Sequence, residues 1–153
     1  MNARLHHPGL VVPDLDRALA FYCSALGFEC IRESSWEADN DAFNQIVGLE
    51  RSAARVCMLK VGSCYLEIFQ YEEPASAHEP ACLDANDHGI RHLAFEVDDV
   101  QATLEKIVRA GGEKINDPVT SPAGVSAIYC RDPFGNLLEL IKPANEFPRL
   151  ADT

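Results

Sequence analysis

The hydrophobic positions of this chain follow two rhythms, one of period two and one near 3.6, and the same succession occurs twice. In the first, "HHPGLVV" alternates as a strand does, and Leu15, Ala18, Leu19, Tyr22 and Leu26 then fall at helical spacing. Three strand-like runs follow: "FECIRES", "ARVCMLKV" and "CYLEIFQY". The second succession opens on "RHLAFEV" and places Val100, Leu104, Ile107 and Val108 on one helical face. It continues through "EKINDPVT", "VSAIYCRD" and "NLLELIK", the last two joined by the turn signal "DPFGN". Asp14 and Asp99 precede the two helices, where a short carboxylate accepts bonds from the first free amides. Gly27 and Gly112 follow them and suit the left-handed residue that ends a helix. Each half therefore reads β-α-β-β-β.

The two halves align residue by residue. At a constant offset His7 matches His92, Val12 matches Val97, Asp14 matches Asp99, Leu19 matches Leu104, and Gly27 matches Gly112. Glu67 and Glu139 then occupy the same place in the last strand of each copy, at a smaller offset, so the first copy is the longer. The extra length is expected within "SSWEADNDAFNQIVGLERSA", where "DAFNQIVGL" reads as a short helix. The chain has 153 residues, one domain's worth. It is organised as a first module at about 5–71, a polar, proline-bearing linker at about 72–90, a second module at about 91–143 and a tail at 144–153.

Glu67 and Glu139 are out of place in this pattern. Each interrupts a run of aromatic and branched residues that suits a half-buried strand, and glutamate is rarely buried without a partner. Strand parity sets Leu66 and Ile68 on one face and Tyr65, Glu67 and Phe69 on the other. Leu138 and Leu140 oppose Glu139, Leu93, Phe95 and Val97 oppose His92, and Leu10 and Val12 oppose His7. The aliphatic faces can cover the helices. Two copies related by a pseudo-twofold would then bring two imidazoles and two carboxylates to one cavity, a donor set for a first-row divalent cation. A single histidine at a strand start is ordinarily just a solvated polar group, and a single strand Glu an exposed face; the repetition carries the argument. Parity assigns His6 to the helix-facing side with Leu10 and Val12. His78 and His88 fall in the linker and read as incidental.

Composition narrows the function classes. The net charge of −11 leaves no basic face for nucleic acid or an anionic membrane. No apolar run approaches a membrane span, and the first ten residues lack a signal-peptide core, so a cytoplasmic location is expected. The six cysteines, at 23, 30, 57, 64, 82 and 130, have no CxxC spacing and read as reduced thiols. Cys57, Cys64 and Cys130 lie in strand-like runs, where a thiol packs as a small hydrophobe.

"HPGLVVPDLDRALAFYCSALGFE", "YLEIFQ", "GIRHLAFEVDDV" and "RDPFGNLLEL" resemble the vicinal oxygen chelate superfamily over about residues 5–143. That superfamily includes glyoxalase I, methylmalonyl-CoA epimerase, extradiol dioxygenases, fosfomycin-resistance enzymes and bleomycin-binding proteins. The resemblance implies an α+β fold: two tandem βαβββ modules forming a curved mixed sheet around a metal cavity. It implies His7, Glu67, His92 and Glu139 as ligands of one divalent ion, with Zn, Ni, Co, Mn and Fe all suited to the set. It also implies a small-molecule substrate and a homodimer, with the site built within one chain or across two.

The second ligand position separates the chemistries. Glyoxalase I and the epimerases resemble this chain in placing a carboxylate or amide there, whereas extradiol dioxygenases need only two histidines and one carboxylate. A lyase or isomerase is therefore expected, removing a proton beside a carbonyl held at the metal. Glu139 is the first choice of base and Glu67 the second. The alternatives are an Fe(II) extradiol ring-cleaving dioxygenase and a non-catalytic binding protein of the bleomycin-resistance kind. Glu50 is weighed as a further acid/base and reads better as a solvated surface residue.

Overall fold

A computed structural model of the protein describes residues 3–77 and 83–144. Two features noted above, His78 and Cys82, lie outside the described residues, as does the tail beyond 144. The chain divides into two compact units, Met1–Cys23 with Gly27–Glu79, and Ser24–Leu26 with Pro80–Thr153. Each carries its own mixed sheet.

The first unit contains β1 (Gly9–Val11), α1 (Leu15–Leu26) except for its last three residues, β2 (Glu29–Trp36), α2 (Asp41–Val47), β3 (Ala53–Val61) and β4 (Cys64–Glu73). Its strands lie in the order β1-β4-β3-β2, with β1 parallel to β4 and the other pairings antiparallel. The second contains β5 (His92–Glu96), α3 (Val100–Arg109), β6 (Glu113–Lys114), β7 (Val119–Thr120), β8 (Ser126–Arg131) and β9 (Leu137–Lys142). There the order is β5-β9-β8-β6, β7 also pairs with β8, and β5 is parallel to β9. The shared logic is that each module's first strand returns beside its last. This pairing is what sets a His-bearing strand against a Glu-bearing one.

The caps form as the residue types dictate. Asp14 accepts from the Arg17 amide and Asp99 from the Ala102 amide, both at 2.9 Å. Asn40 caps the short α2 by accepting from the Phe43 amide. Gly27 ends α1 in the left-handed conformation at φ 73°. Gly112 behaves differently from the expected helix stop. The left-handed residue after α3 is Gly111, at φ 95°. Gly112 is instead a point of close approach, where a Cβ would lie 2.6 Å from the Arg131 carbonyl oxygen and 2.7 Å from Ile107 Cγ2.

Burial follows strand parity. Leu66, Ile68, Leu138 and Leu140 are all but inaccessible, which leaves Glu67 and Glu139 on the opposite faces of their strands. Val12 is buried and Val11 is 57% exposed. In α1, Leu15, Ala18, Phe21 and Tyr22 are buried; in α3, Val100, Leu104 and Ile107. Val108 departs from the expected stripe, standing exposed at its margin in the last turn of α3. "EKINDPVT" is not one strand but two short ones, β6 and β7, each bonded to β8. Pro118, which lacks an amide donor, stands just before β7. Cys57 and Cys130 are buried as small hydrophobes, and burial pushes the Cys130 thiol up to about 12. Cys64 is exposed instead, since the Gly62–Ser63 hairpin turn sets it at the outer end of β4.

Candidate metal centre

His7 lies just before β1 and Glu67 in β4. The parallel ladder pairs Gly9 with Glu67, and the Glu67 amide donates to the Pro8 carbonyl at 3.1 Å. His7, two residues before Gly9, is therefore a diagonal neighbour on the same face. Its Nε2 stands 2.9 Å from Glu67 Oε2. The second module repeats the arrangement: the ladder pairs Ala94 with Glu139, His92 lies two residues earlier, and its Nε2 stands 3.2 Å from Glu139 Oε2. Both pairs are partly exposed, with side-chain accessibilities between 20% and 35%. Each unit thus presents one imidazole and one carboxylate side by side.

The structure revises His6. Expected on the helix-facing side, it is exposed, with its ring stacked on Tyr65 at 5.5 Å and its Nδ1 2.6 Å from His7 Nδ1. Parity fails because regular strand structure starts only at Gly9, beyond Pro8. Glu50 is exposed in the loop between α2 and β3, as its solvated reading expects. His88 is exposed as well.

The surroundings of the two pairs differ. Beside Glu67, Phe69 and Tyr71 pack on a cluster of Trp36, Ala54 and Val56. Trp36 also stacks on Phe43 of α2, with ring centroids 4.6 Å apart. Burial, and then the Glu67 charge, pushes the Tyr71 hydroxyl above its ordinary range. Beside His92 stands Tyr129, with ring centroids 5.0 Å apart, which the ladder also pairs with Glu139. Trp36, Tyr71 and Tyr129 were not singled out from sequence. Period-two alternation in "SAIYCR" places Tyr129 opposite Ile128 and Cys130; nothing local marks Trp36, whose contacts reach α2, β4 and Ser52.

The donor set fits a divalent cation. Two ligand atoms held at about 2.1 Å from one ion, at right angles, stand about 3 Å apart. The observed 2.9 and 3.2 Å match that spacing, which also suits a direct imidazole–carboxylate hydrogen bond. Half-exposed imidazoles and carboxylates can exchange that bond for a cation without rebuilding the strands that carry them.

Comparison with known proteins follows the same lines. Residues 4–140 match the model of the Glyoxalase/Bleomycin resistance protein/Dioxygenase superfamily. A 2-epi-5-epi-valiolone epimerase of Actinomyces sp. is 34% identical over 145 residues, covering 90% of this chain and 78% of the relative. A probable lactoylglutathione lyase of Synechocystis sp. is 24% identical, covering 93% of this chain and 97% of the relative. In fold, the chain resembles a glyoxalase family protein from Bacillus cereus, with a TM-score of 0.86 at 19% identity, covering 95% and 97% of the two chains. Among the described residues no helix is long and apolar enough to cross a membrane. This chain belongs to the glyoxalase/bleomycin resistance protein/dioxygenase superfamily.

Proposed function

We propose that the protein is a divalent-metal-dependent isomerase or lyase that removes a proton from a carbon next to a carbonyl. The observation that carries this reading is the repeated His–Glu pair, built at the same ladder register in both modules. His7, Glu67, His92 and Glu139, supplied by one chain or by two copies of it, would hold the ion. When bound, the ion would polarise the substrate carbonyl and stabilise the negative charge that develops on its oxygen.

The rest is work for the protein's own groups. Glu139 is the principal base: a partly exposed carboxylate that takes the carbon-bound proton on one oxygen and can return it. A proton delivered to the opposite face by water gives an epimer; return by Glu139 to a neighbouring atom gives a glyoxalase-type product. Glu67 is the second carboxylate, and the aromatic side chains beside it form an apolar wall against which a small substrate can be oriented. The 34% identity to a protein named as an epimerase favours epimerisation of a small ketone over the lyase reaction.

The test follows the migrating proton. Purified protein is analysed for metal, reconstituted with each candidate ion, and incubated in deuterium oxide without oxygen. The substrates are 2-epi-5-epi-valiolone, glutathione thiohemiacetals and methylmalonyl-CoA. Deuterium should enter at the carbon beside a carbonyl of one of them, and His92→Ala should lose both bound metal and exchange while staying folded. Turnover of catechols that strictly needs Fe(II) and O₂, with no exchange on any carbonyl substrate, would replace this reading with the dioxygenase.

A further inference from the structure

The first unit carries a second cluster of reactive side chains, with no part in the chemistry above. Cys30 and Glu33 of β2 and Cys57 of β3 bring two sulfurs and a carboxylate oxygen within 4.8 Å of one another. A register shift between Cys30 and Arg32 creates it. The ladder pairs Cys30 with Leu59 and Glu33 with Cys57, so the irregularity at Ile31 lets two β2 residues three apart share one face. Diagonal partners across a regular antiparallel pair stand too far apart to bond. Here Cys30 Sγ lies 2.7 Å from Cys57 Sγ.

Two chemistries could use such a cluster. Two thiolates sharing one tetrahedral zinc ion, with Zn–S bonds of about 2.3 Å, keep their sulfurs about 3.8 Å apart. The 2.7 Å separation is much shorter than that, and Glu33 Oε1 is farther away, 4.0 Å from Cys30 Sγ. Burial, and then the hydrogen bond with Cys30, pushes the Cys57 thiol well above its ordinary range. The geometry points instead to sulfur–sulfur bonding: we propose that Cys30 and Cys57 are a thiol-oxidation site that closes reversibly to an intramolecular disulfide between β2 and β3.

The roles of the two cysteines follow from their exposure. Cys30 is exposed on the edge strand of its sheet and is the sulfur an oxidant meets first; Cys57 is inaccessible. With a small-molecule disulfide such as oxidised glutathione as oxidant, the Cys30 thiolate attacks one of its sulfurs. The glutathione S–S bond breaks, one glutathione thiolate leaves with the electron pair, and a mixed disulfide remains on Cys30. The Cys57 thiol then attacks Cys30 Sγ as its proton passes to the departing sulfur, and the second glutathione leaves as a thiol. Two protein thiols have become one disulfide and one small disulfide has become two thiols, so electrons and protons balance. The new bond ties the ends of a segment containing α2 and Trp36, which packs with Phe69 and Tyr71 of β4.

The folded protein, as purified with whatever metal it carries, is equilibrated in glutathione buffers of increasing oxidised fraction. It is then quenched in acid, alkylated after unfolding and mapped by mass spectrometry. The expected product is one Cys30–Cys57 cross-linked peptide, two hydrogens lighter than its parts, that dithiothreitol reverses. Its melting temperature should be higher by several degrees, since the bond restricts the unfolded chain. Cys30→Ser, at an exposed position, should fold normally and abolish the cross-link. Glutathione that stays on Cys30 while Cys57 remains free for alkylation would overturn the proposal, as would pairing of either residue with another cysteine. Stoichiometric zinc that protects both thiols, and is lost in Glu33→Gln, would overturn it in favour of a metal site.

Discussion

The two modules place the same polar pair on very different scaffolds. In the first, Glu67 sits in a ten-residue strand, beside a nine-residue neighbour that leads on to an eight-residue edge strand. In the second, Glu139 sits in a six-residue strand, and the sheet beyond β8 shrinks to two-residue pieces. Yet the histidine stands two residues ahead of the Glu's ladder partner in both, and the N–O distances differ by only a few tenths of an ångström. Two parallel strands in fixed register are enough to build the pair. Outside them the modules differ: the first carries α2 and a cluster of aromatic side chains around Trp36, and the second sets Tyr129 beside His92.

The largest expected effect divides the proton work between the two carboxylates. Glu139→Gln keeps an oxygen donor but removes the principal base, so kcat should fall about 10²–10⁴-fold with metal content partly retained. Glu67→Gln should keep metal and a measurable share of activity. Side-by-side kcat and metal analysis decide the matter. Equal losses would mean shared proton transfer, and a larger loss at Glu67 would name it the base.

The aligned glycines sharpen the comparison through stability. A Cβ at Gly112 meets a backbone oxygen at 2.6 Å, so Gly112→Ala should cost roughly 2–3 kcal/mol from overpacking. Gly27 has nothing within 4 Å of its built Cβ and only a left-handed φ to keep, so Gly27→Ala should cost about 1 kcal/mol. Urea denaturation of the two variants measures the difference, and equal costs would show that the Gly112 backbone moves aside easily.

The smallest effect should also be the most alike in the two halves. Asp14→Ala and Asp99→Ala each remove one cap bond of 2.9 Å and should each cost about 1 kcal/mol. Calorimetric melting of the pair would expose any asymmetry between the caps. A loss at Asp14 well beyond that at Asp99 would show that the start of α1 depends on its cap more than α3 does, despite the extra bond from the Leu15 amide to Gln70.

Much of this molecule follows from local rules applied to its own sequence. Which residues of β4 and β9 face the core is a matter of period two, so Leu66, Ile68, Leu138 and Leu140 could be separated from Glu67 and Glu139 without knowing any partner strand. The caps at Asp14 and Asp99, the short helix at 41–47 and the doubled βαβββ order are local in the same sense. The internal repeat picked out the two His and the two Glu, and the parallel ladders of β1 with β4 and β5 with β9 decided which His stands beside which Glu. What lay beyond reach depends on register and close approach between distant segments. His6 turned away from its parity because Pro8 precedes the strand. Gly112 is dictated by Arg131, a residue two strands later. Cys30 meets Cys57 only because of an irregularity that no periodicity records. Alternation along a strand is set by its own backbone geometry, but which residue stands opposite is decided by the packing of the whole sheet, and only the tertiary structure holds that information.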